Sequence, residues 1–436
     1  RCEVTVSSTS QWRSSPAHFR AVAVGIAGVA AALLFRVPAL LVMSTPFAVV
    51  ALWATATRPS DEPVLTGGIA PTAVREGEAT TWTGVLSNVA HIDHVVALAP
   101  ATAWIEMRPR SGVVATAVRH GDATASIAIP MRSTHWGRHE IGRINVVGVS
   151  SWGAFRWRQL DIGYGVMTLP LPEVFDAAPP MHRANGLVGL TRSAQPGDGS
   201  EFAGIRPFQI GDRLRRINWR RSLRSGELYV TSTYADQDNH VALFVDALAD
   251  VGTSGGIDGE ASSLDTTVRA AGAIAEHFLL RGDRVSLCVF GLFGDASVPP
   301  ASGRGHLRRI LDVLASIETD ASRPRSLRVG KGAVPSDALA IMLSPLISSV
   351  ALDRAVSLAS HGLSVAVVDT LPEDVHVVDD PTAELAWRIR LLERRREIRT
   401  VQQVGVPVIA WHGPGSLDPF LREMARRSSA PRMARR

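Results

Sequence analysis

The chain has 436 residues, of which 46% are hydrophobic, and this length exceeds what one hydrophobic core usually serves, so we expect two or three domains. The formal net charge of +5 is mild for this length; it argues against a nucleic-acid-binding protein, which needs a concentrated basic face, and is compatible with contact to anionic lipid headgroups. Cys2 and Cys288 are the only cysteines, so no disulfide framework is expected and the composition suits a reducing compartment.

Two uncharged apolar runs, residues 21–35 and 37–56, lie near the start of the chain and are separated by Arg36. At 1.5 Å per residue the second run spans about 30 Å, the thickness of a bilayer core. The first run reaches that length only if Phe19 and snorkelling arginines extend it. We therefore predict a hairpin of two transmembrane helices over residues 19–57.

A cleaved signal peptide is the alternative, because Ala54-Thr55-Ala56 resembles a cleavage site. The apolar region is, however, far longer than the roughly 7 to 15 residues of a signal peptide. Arg1 and Arg13 lie in the N-terminal tail, residues 1–18, and Arg20 lies just before the first apolar run. Arg58 follows the second run, whereas Arg36 is the single charged residue between the two runs. The positive-inside rule then places both ends in the cytosol and predicts an inner-membrane protein whose soluble domains are cytoplasmic.

Residues 64–170 alternate short runs rich in Val, Ile and Thr with glycine turns, and no useful length has helical periodicity. Strands at this spacing predict a small β-sandwich of the immunoglobulin-like type. The following segment, residues 171–239, begins with prolines and glycines and contains a polar and aromatic stretch. We expect it to form a junction between the β-sandwich and the rest of the chain.

From residue 240 to 415 the pattern changes to buried strands alternating with helices. Continuous apolar strands in this rhythm predict a doubly wound α/β domain with a parallel sheet covered on both faces. Residues 416–436 are expected to form a C-terminal helix and a basic tail. The predicted strands are 241–246, 284–290, 338–344, 363–369 and 406–412, and the predicted helices are 262–281, 306–317, 350–360 and 382–401.

The last of these helices carries six arginines between Trp387 and Arg399. Its predicted buried stripe consists of Leu385, Ile389 and Leu392, which recur at helical spacing. The arginines would then form a solvated face with Glu393 and Glu397 as local partners. A docking surface for an acidic partner is the alternative interpretation.

The stretch from Gly199 to Trp219 is too polar for a core strand and too aromatic for a flexible linker. In one interpretation its arginines pair with carboxylates beneath aromatic side chains and lock the two soluble domains together; in the other they present a recognition surface to an acidic partner. No histidine lies between Gly199 and Asn239 to act as a base, which argues against catalysis here. The side chains concerned are Glu201, Phe202, Arg206, Phe208, Asp212, Arg216, Trp219 and Arg224.

This stretch resembles the bacterial family called domain of unknown function 58, whose pattern is Gly-x-Glu-Phe, Arg-x-Tyr/Phe, Gly-Asp and Arg-x-Ile-x-Trp. The upstream segment 134–156 also resembles family elements, with Ser151 and Trp152 departing from an aspartate and a proline. The matching residues are Gly199, Glu201, Phe202, Arg206, Phe208, Gly211, Asp212, Arg216, Ile217 and Trp219.

The resemblance implies a degenerate von Willebrand A-like fold for the α/β domain and no established enzymatic activity. It also implies a partner, because family members are typically encoded beside MoxR-type AAA+ ATPases, cytosolic ring machines thought to assemble complexes or mature envelope proteins. Lys331 is the only lysine among 46 basic residues, and this arginine bias suits a high-GC actinobacterium.

Asp246 ends the first α/β strand, where doubly wound folds bind ligands. A magnesium site of the von Willebrand A type would add serines and a threonine from nearby loops and a later aspartate. Here Asp246 and Asp250 are the oxygen donors that remain, and Ser344-Pro345 supplies no carboxylate. A weak degenerate magnesium site is one hypothesis; a role for Asp246 as a helix cap or as the partner of an arginine is the other.

The leading hypothesis is a membrane-anchored, non-enzymatic adaptor that works with a MoxR-type ATPase, without a cofactor. The alternative is a metal-dependent ligand-binding module that uses Asp246 and Asp250. A third hypothesis is a hydrolase, but the sequence contains no evident nucleophile–base pair.

Overall fold

The computed structural model describes residues 11–171, 196–209, 212, 214–234, 240–291, 296–317, 338–373, 375 and 381–417. The chain divides into two compact units. The first consists of Arg1–Pro170 together with Gly256–Gly259, and the second of Leu171–Gly255 together with Glu260–Arg436. The segment 171–239, predicted as a junction between domains, is thus part of the second unit.

Two apolar helices, α1 (Pro16–Phe35) and α2 (Pro38–Ala56), open the described chain. The Ser15 side chain accepts a hydrogen bond from the His18 amide and so caps α1, whose first residue is a proline. Arg36 adopts the left-handed conformation, with φ 56°, and ends α1. Both helices are long and apolar enough to cross a membrane, with a mean hydropathy of 1.8.

Small residues bring the two helices together. A Cβ on Gly28 would lie 2.3 Å from the Ser44 Cβ, and one on Gly25 would lie 3.2 Å from the Ala48 Cα, so the backbones approach closely at both positions. The opposite faces are exposed, and only 11% of the apolar stretch of α1 and 17% of that of α2 are buried. A core helix of a soluble protein would instead bury such a surface. The predicted helical hairpin is therefore present.

In the described part of the first unit, twelve strands accompany the two helices. The sheet orders are β1-β11-β10-β5-β7, β2-β4-β8-β6 and β3-β12-β9, and all pairs are antiparallel except β3 with β12. The strands are β1 Arg13–Ser14, β2 Val64–Ala70, β3 Ala73–Arg75, β4 Ala79–Ser87, β5 Ile92–Leu98, β6 Ile105–Met107, β7 Val113–Ala117, β8 Thr124–Ser133, β9 Gly137–Ile141, β10 Asn145–Ser150, β11 Phe155–Leu160 and β12 Tyr164–Leu169.

The five-stranded and four-stranded sheets pack face to face around one core. Trp82 and Ile129 of the four-stranded sheet and Trp157 and Val146 of the five-stranded sheet are fully buried in it. Buried side chains alternate with more exposed ones along β4, β8 and β11, as a half-buried strand requires. The predicted β-sandwich is therefore present in outline.

Four residues from later in the chain complete this unit. The Ile257 amide donates to the Thr134 carbonyl at 2.7 Å, and Arg132 forms a bidentate pair with Asp258, with N–O distances of 2.6 and 3.0 Å. This contribution of Gly256–Gly259 to the β-sandwich unit was not visible in the sequence.

The second unit contains a strand pair and a six-stranded sheet. Strands β13 (Pro196–Pro207) and β14 (Tyr229–Tyr234) pair antiparallel, and the short helix α3 (Trp219–Ser225) lies between them in sequence. The remaining strands are β15 His240–Asp246, β16 Arg284–Phe290, β17 Ala296–Ala301, β18 Leu339–Ser344, β19 Ser364–Asp369 and β20 Val408–Ala410, and the helices are α4 Ser263–Leu280, α5 Arg304–Leu314, α6 Ser349–Ser360 and α7 Pro381–Gln403.

The six-stranded sheet has the order β17-β16-β15-β18-β19-β20, and every pair is parallel except β16 with β17. Helix α4 packs with α5, and α6 packs with α7. Every residue of β15 is buried, as expected for a central strand covered on both faces. The order reverses between β15 and β18, and such a switch point is where open α/β sheets form their ligand crevice.

The predicted mixed α/β class is confirmed, and each predicted strand and helix of this region corresponds to an observed element. One strand, β17, was missed because its sequence ASVPPA contains two prolines. Proline is tolerated there because β17 is an antiparallel edge strand.

Candidate functional site

The segment that the sequence singled out folds as a strand, a turn, a short helix and a return strand. Arg206 at the end of β13 forms a bidentate pair with Asp212, with N–O distances of 2.8 and 2.6 Å. The same carboxylate accepts the Gln209 amide at 2.9 Å, which closes the turn between them. The hydrogen bond from Arg206 lowers the pKa of Asp212, and the positive charge of Arg216 adds to this effect.

Helix α3 is held at both ends. The Asn218 side chain accepts the Arg221 amide at its start, and Gly226, with φ 76°, adopts the left-handed conformation at its end. The Ser222 hydroxyl accepts the Tyr229 amide of β14 at 2.9 Å, and the Arg221 guanidinium lies over the Tyr229 ring at 5.1 Å. These contacts fix the helix on the strand pair.

The outer surface of this segment is apolar and basic. Leu214, Trp219 and Leu223 are 69%, 60% and 83% exposed, and the last two lie one turn apart on α3. Arg220 and Arg224 are also exposed on the helix. We call this set the α3 surface.

The structure departs from the predicted clasp in two respects. Trp219 was expected to cover the arginine–carboxylate pairs, but it is the first residue of α3 and its ring points to solvent because the helix buries only Ser222. The Arg206–Asp212 pair spans six residues inside the second unit, so it stabilises a local turn rather than a link between domains.

The other predicted residues of the segment have varied positions. Phe208 and Arg216 are half-buried, and Arg224 is exposed. Glu201 and Phe202 lie in β13, but the structure does not describe their side chains, and Gly211 lies outside the described residues.

At the carboxyl edge of the parallel sheet, Asp246 of β15 and Ser344 of β18 meet at the switch point. The Ser344 hydroxyl donates to the Asp246 Oδ2 at 2.5 Å, and the Leu248 amide donates to the Oδ1 at 3.0 Å. Asp246 is 2% exposed, and this burial raises its pKa. Among the residues that the structure describes, Asp246 neither caps a helix nor pairs with an arginine, which was one of the two sequence-based hypotheses, because Ser344 and the local turn satisfy it.

Asp250 takes the role that was predicted for Asp246. Its Oδ1 accepts the Leu264 amide at 2.9 Å and the Ser263 hydroxyl at 3.2 Å, and it therefore caps the start of α4. Both candidate metal ligands thus accept hydrogen bonds from the protein's own donors. Among the residues that the structure describes, no group of three or more His, Cys, Asp or Glu side chains could hold a metal ion.

Sequence analysis missed a second, half-buried carboxylate at this edge. Asp369 ends β19 and accepts hydrogen bonds from the Arg394 guanidinium and from the Leu371 amide. Arg394 also donates to the Pro345 carbonyl at 3.0 Å and is only 8% exposed. Burial raises the pKa of Asp369 although Arg394 opposes the shift. The signal in the sequence was the aspartate directly after an apolar strand, the same position that identified Asp246.

The buried stripe predicted for α7 is wrong. Leu385, Ile389 and Leu392 are 60%, 50% and 64% exposed, and the helix buries Arg394 and Val401 instead. The inner side of the helix carries Arg394, which donates hydrogen bonds to the Asp369 carboxylate and the Pro345 carbonyl at the strand ends. These charged hydrogen bonds orient the helix, and its apolar stripe is left outside.

A G-x-S-x-G pattern, Gly252–Gly256, lies in the loop between β15 and α4 and was overlooked in the sequence. A nucleophile elbow requires this pattern at a sharp turn that joins a strand directly to a helix. Here β15 ends at Asp246 and α4 begins at Ser263, so the pattern does not form such an elbow.

The protein therefore combines a pair of apolar helices, a β-sandwich and a mostly parallel α/β sheet. The model of the family described as "Protein of unknown function DUF58" matches residues 204–399, which cover α3, the switch point and most of α7. The match to this family by sequence thus falls on the segment with the Arg206–Asp212 pair and on the sheet that follows it.

Similar proteins are found in mycobacteria. Uncharacterized protein Rv1480 of Mycobacterium tuberculosis and Uncharacterized protein Mb1516 of Mycobacterium bovis are each 28% identical over 201 residues, which are 42% of this chain. The chain spans 59% of the length of these relatives.

Two solved structures are similar over about a quarter of the chain. The cupredoxin domain of amoB from Nitrosocaldus yellowstonii is 10% identical with a TM-score of 0.17, over 25% of this chain and 88% of that one. A CARDB domain from Pyrococcus furiosus is 12% identical with a TM-score of 0.15, over 24% and 93%.

Proposed function

We propose that this protein is a membrane-anchored, non-enzymatic adaptor that binds a partner protein through the α3 surface. The observation that carries the proposal is the exposure of Trp219 and Leu223 on one face of α3, next to Arg220 and Arg224. Aromatic and arginine side chains are the most common anchors of protein interfaces. Because the caps and the Ser222–Tyr229 contact hold the helix in place, little ordering entropy is lost on binding.

Support for the membrane anchor comes from α1 and α2, whose outward apolar faces need a hydrocarbon environment. The hydroxyls of Ser44, Thr45 and Thr55 donate to carbonyls three or four residues earlier in α2, which satisfies them without water. Arg13, Arg20 and Arg58 flank the hairpin ends, and Arg36 lies at its turn. By the positive-inside rule, the proposed location of the soluble units is the cytoplasm.

The proposed partner is a MoxR-type AAA+ ATPase, which the family resemblance suggests and which a cytoplasmic α3 surface could reach. The arginines favour an acidic site on that partner. For the α/β unit we propose a von Willebrand A-like fold, supported by the strand order and by Asp246 at the end of the central strand. An immunoglobulin-like classification of the β-sandwich is part of the same proposal.

The test is co-purification of the full chain with the ATPase from detergent-solubilised membranes. We expect Trp219→Ala/Leu223→Ala to lose the association, since truncation of a tryptophan anchor alone costs about 2 kcal/mol or more. The matched control is Leu385→Ala/Leu392→Ala, which removes two similarly exposed apolar side chains from α7.

Retention of the ATPase by the α3 variant would show that this surface is not the docking site. Loss in both variants would point to a general effect on folding, which the unfolding midpoints of the two proteins would reveal. Digestion of the soluble units by protease added outside intact cells would contradict the cytoplasmic orientation.

A further inference from the structure

Three arginines line an open cavity of about 640 Å³ on the outer face of the five-stranded sheet. Arg13 lies on β1, and Arg156 and Arg158 lie on the neighbouring strand β11. The alternation of β11 buries Phe155 and Trp157 in the core and turns both arginines outward. The rest of the cavity wall consists of Gln11, Ser14, Asn145, Val147 and Leu160.

The arrangement concentrates positive charge. Arg13 is the direct cross-strand partner of Arg156, and like charges directly opposite each other on a sheet are destabilising. Arg158 donates to the Asn145 amide oxygen at 2.8 Å, which orients its guanidinium without neutralising it. Within the described part of the chain, none of the three arginines forms a salt bridge with a carboxylate.

The cavity lies beside the entry of the apolar helices. Only Ser14 and the capping residue Ser15 separate Arg13 from α1. The Ser15 amide donates to the Ala154 carbonyl at 2.8 Å, and the Arg58 guanidinium, just beyond α2, lies 5.8 Å from the Phe155 ring. The start of α1 and the segment just after α2 therefore both lie beside the start of β11.

The arginines lie close enough to the helix ends to reach lipid headgroups if α1 and α2 span a membrane. Arg156 follows Phe155 directly, and Arg158 lies about 7 Å further along the strand. The headgroup region on each side of a bilayer is about 5 to 7 Å thick. If α1 and α2 span the membrane, Arg13 and Arg156 lie at its surface.

We propose that this cavity binds a phosphate-bearing anion through Arg13, Arg156 and Arg158. Guanidinium groups bind phosphate oxygens bidentately, and a bound phosphate would relieve the repulsion between the paired arginines. Basic pockets beside transmembrane helices bind anionic headgroups, while Val147 and Leu160 provide apolar contact for a glycerol or acyl segment. The inference rests on the membrane anchoring proposed above, and not on the α3 surface.

The experiment uses the full chain in neutral detergent. Native mass spectrometry measures the binding of phosphatidylglycerol and of phosphatidylcholine with identical acyl chains, and a second arm measures the binding of inorganic phosphate by calorimetry. The test variant is Arg13→Gln/Arg156→Gln/Arg158→Gln. The matched control, Arg108→Gln/Arg110→Gln/Arg138→Gln, removes the same charge from exposed arginines of the same unit that do not line the cavity.

We expect saturable binding of phosphatidylglycerol in preference to phosphatidylcholine. Each arginine near an anionic surface contributes about fivefold in affinity, so the test variant should bind about a hundredfold more weakly and the control should match the original protein. Arg158→Gln alone should weaken binding about fivefold, which keeps the test valid if the triple variant does not fold.

If the protein binds inorganic phosphate saturably and the test variant does not, the result would support a phosphate site in the cavity whose ligand is a soluble anion. Absence of both lipid preference and phosphate binding, or equal losses in test and control variants, would overturn the proposal. Resistance to extraction from membranes by alkaline carbonate tests the anchoring separately. Extraction of the original protein would contradict the membrane anchor, while the phosphate arm would still decide the cavity.

Discussion

The Ser344 hydroxyl donates a hydrogen bond of 2.5 Å to the Asp246 carboxylate and so joins the carboxyl ends of two parallel strands at the switch point of the sheet. Both residues are at most 2% exposed, and the Ser344 oxygen also accepts the Leu346 amide at 2.9 Å. In the described structure, the position where open α/β sheets form a crevice is therefore filled by the protein's own polar side chains.

Ser344→Ala should destabilise the second unit, because it removes a donor from a buried carboxylate and an acceptor from a buried amide. The expected loss in the free energy of unfolding is about 1 to 3 kcal/mol, measured by urea denaturation. Ser360→Ala is the control, since the Ser360 hydroxyl bonds only to the exposed end of α6. Equal stability of the two variants would mean that the contact at the switch point contributes nothing.

The turn closed by Arg206 and Asp212 should open at low pH. The pKa of Asp212 is lowered in the folded state, so the stabilisation is present above the unfolded value of about 3.9 and is lost as the pH falls through the lower folded value. The protection factor of the Gln209 amide, which donates to Asp212, should therefore fall at that pH once the intrinsic pH dependence of exchange is divided out. Asp212→Asn should show the low protection factor already at neutral pH, and equal protection in both proteins would contradict the role of the pair.

His277 on α4 should make the second unit less stable in mild acid. Burial lowers its pKa to about 4, so the unfolded chain, with a value of about 6.5, takes up the proton first. Stability is full above pH 6.5 and falls as the pH drops toward 4. The linkage amounts to at most about 2 kcal/mol at pH 5, and solvent screening of this partly exposed ring reduces it to about 1 kcal/mol. His277→Gln should show a smaller difference in urea midpoint between pH 7 and pH 5; an unchanged difference would assign the effect to other groups.

Gly28→Leu should separate α1 from α2, because even a Cβ at this position would overlap Ser44. Small residues at such contacts allow close backbone approach, and a large side chain abolishes it. The thermal unfolding midpoint of the full chain in detergent should therefore fall in Gly28→Leu. The control is Leu33→Ala on the exposed face of α1, which should leave the midpoint unchanged, and equal midpoints in all three proteins would contradict the close contact at Gly28.

Substitution of Arg394 should destabilise the protein more than substitution of Leu392, which is the reverse of what hydropathy predicts. Arg394→Gln leaves the half-buried Asp369 without its charged partner and should cost about 1 to 3 kcal/mol. Leu392→Gln changes a side chain that is 64% exposed and should alter the stability by about 0.5 kcal/mol or less. Urea denaturation of the two variants compares them directly, and a larger effect of Leu392→Gln would restore the predicted stripe.

The sequence by itself determined the elements whose signal is local. The apolar runs of α1 and α2, the alternation in β4, β8 and β11, and the buried strands β15, β16, β18 and β19 follow from patterns of side chains along a few turns or a few strand residues. The pairing of Arg206 with Asp212 is also local, because only six residues separate them. Residue spacing therefore sufficed to anticipate that the arginines and carboxylates of this segment would meet.

Only the tertiary structure decided the contacts between distant segments. The joining of Asp246 to Ser344, 98 residues later, depends on the order of the strands, and the rotation of α7 depends on Arg394 meeting Asp369. Hydropathy ranks a leucine above an arginine for burial, but a guanidinium can be buried where a carboxylate and a carbonyl accept its hydrogen bonds, because these contacts offset the lost hydration. The arginine cavity likewise exists because β1, separated from β11 by the whole helical hairpin and most of the sandwich, returns to pair with it.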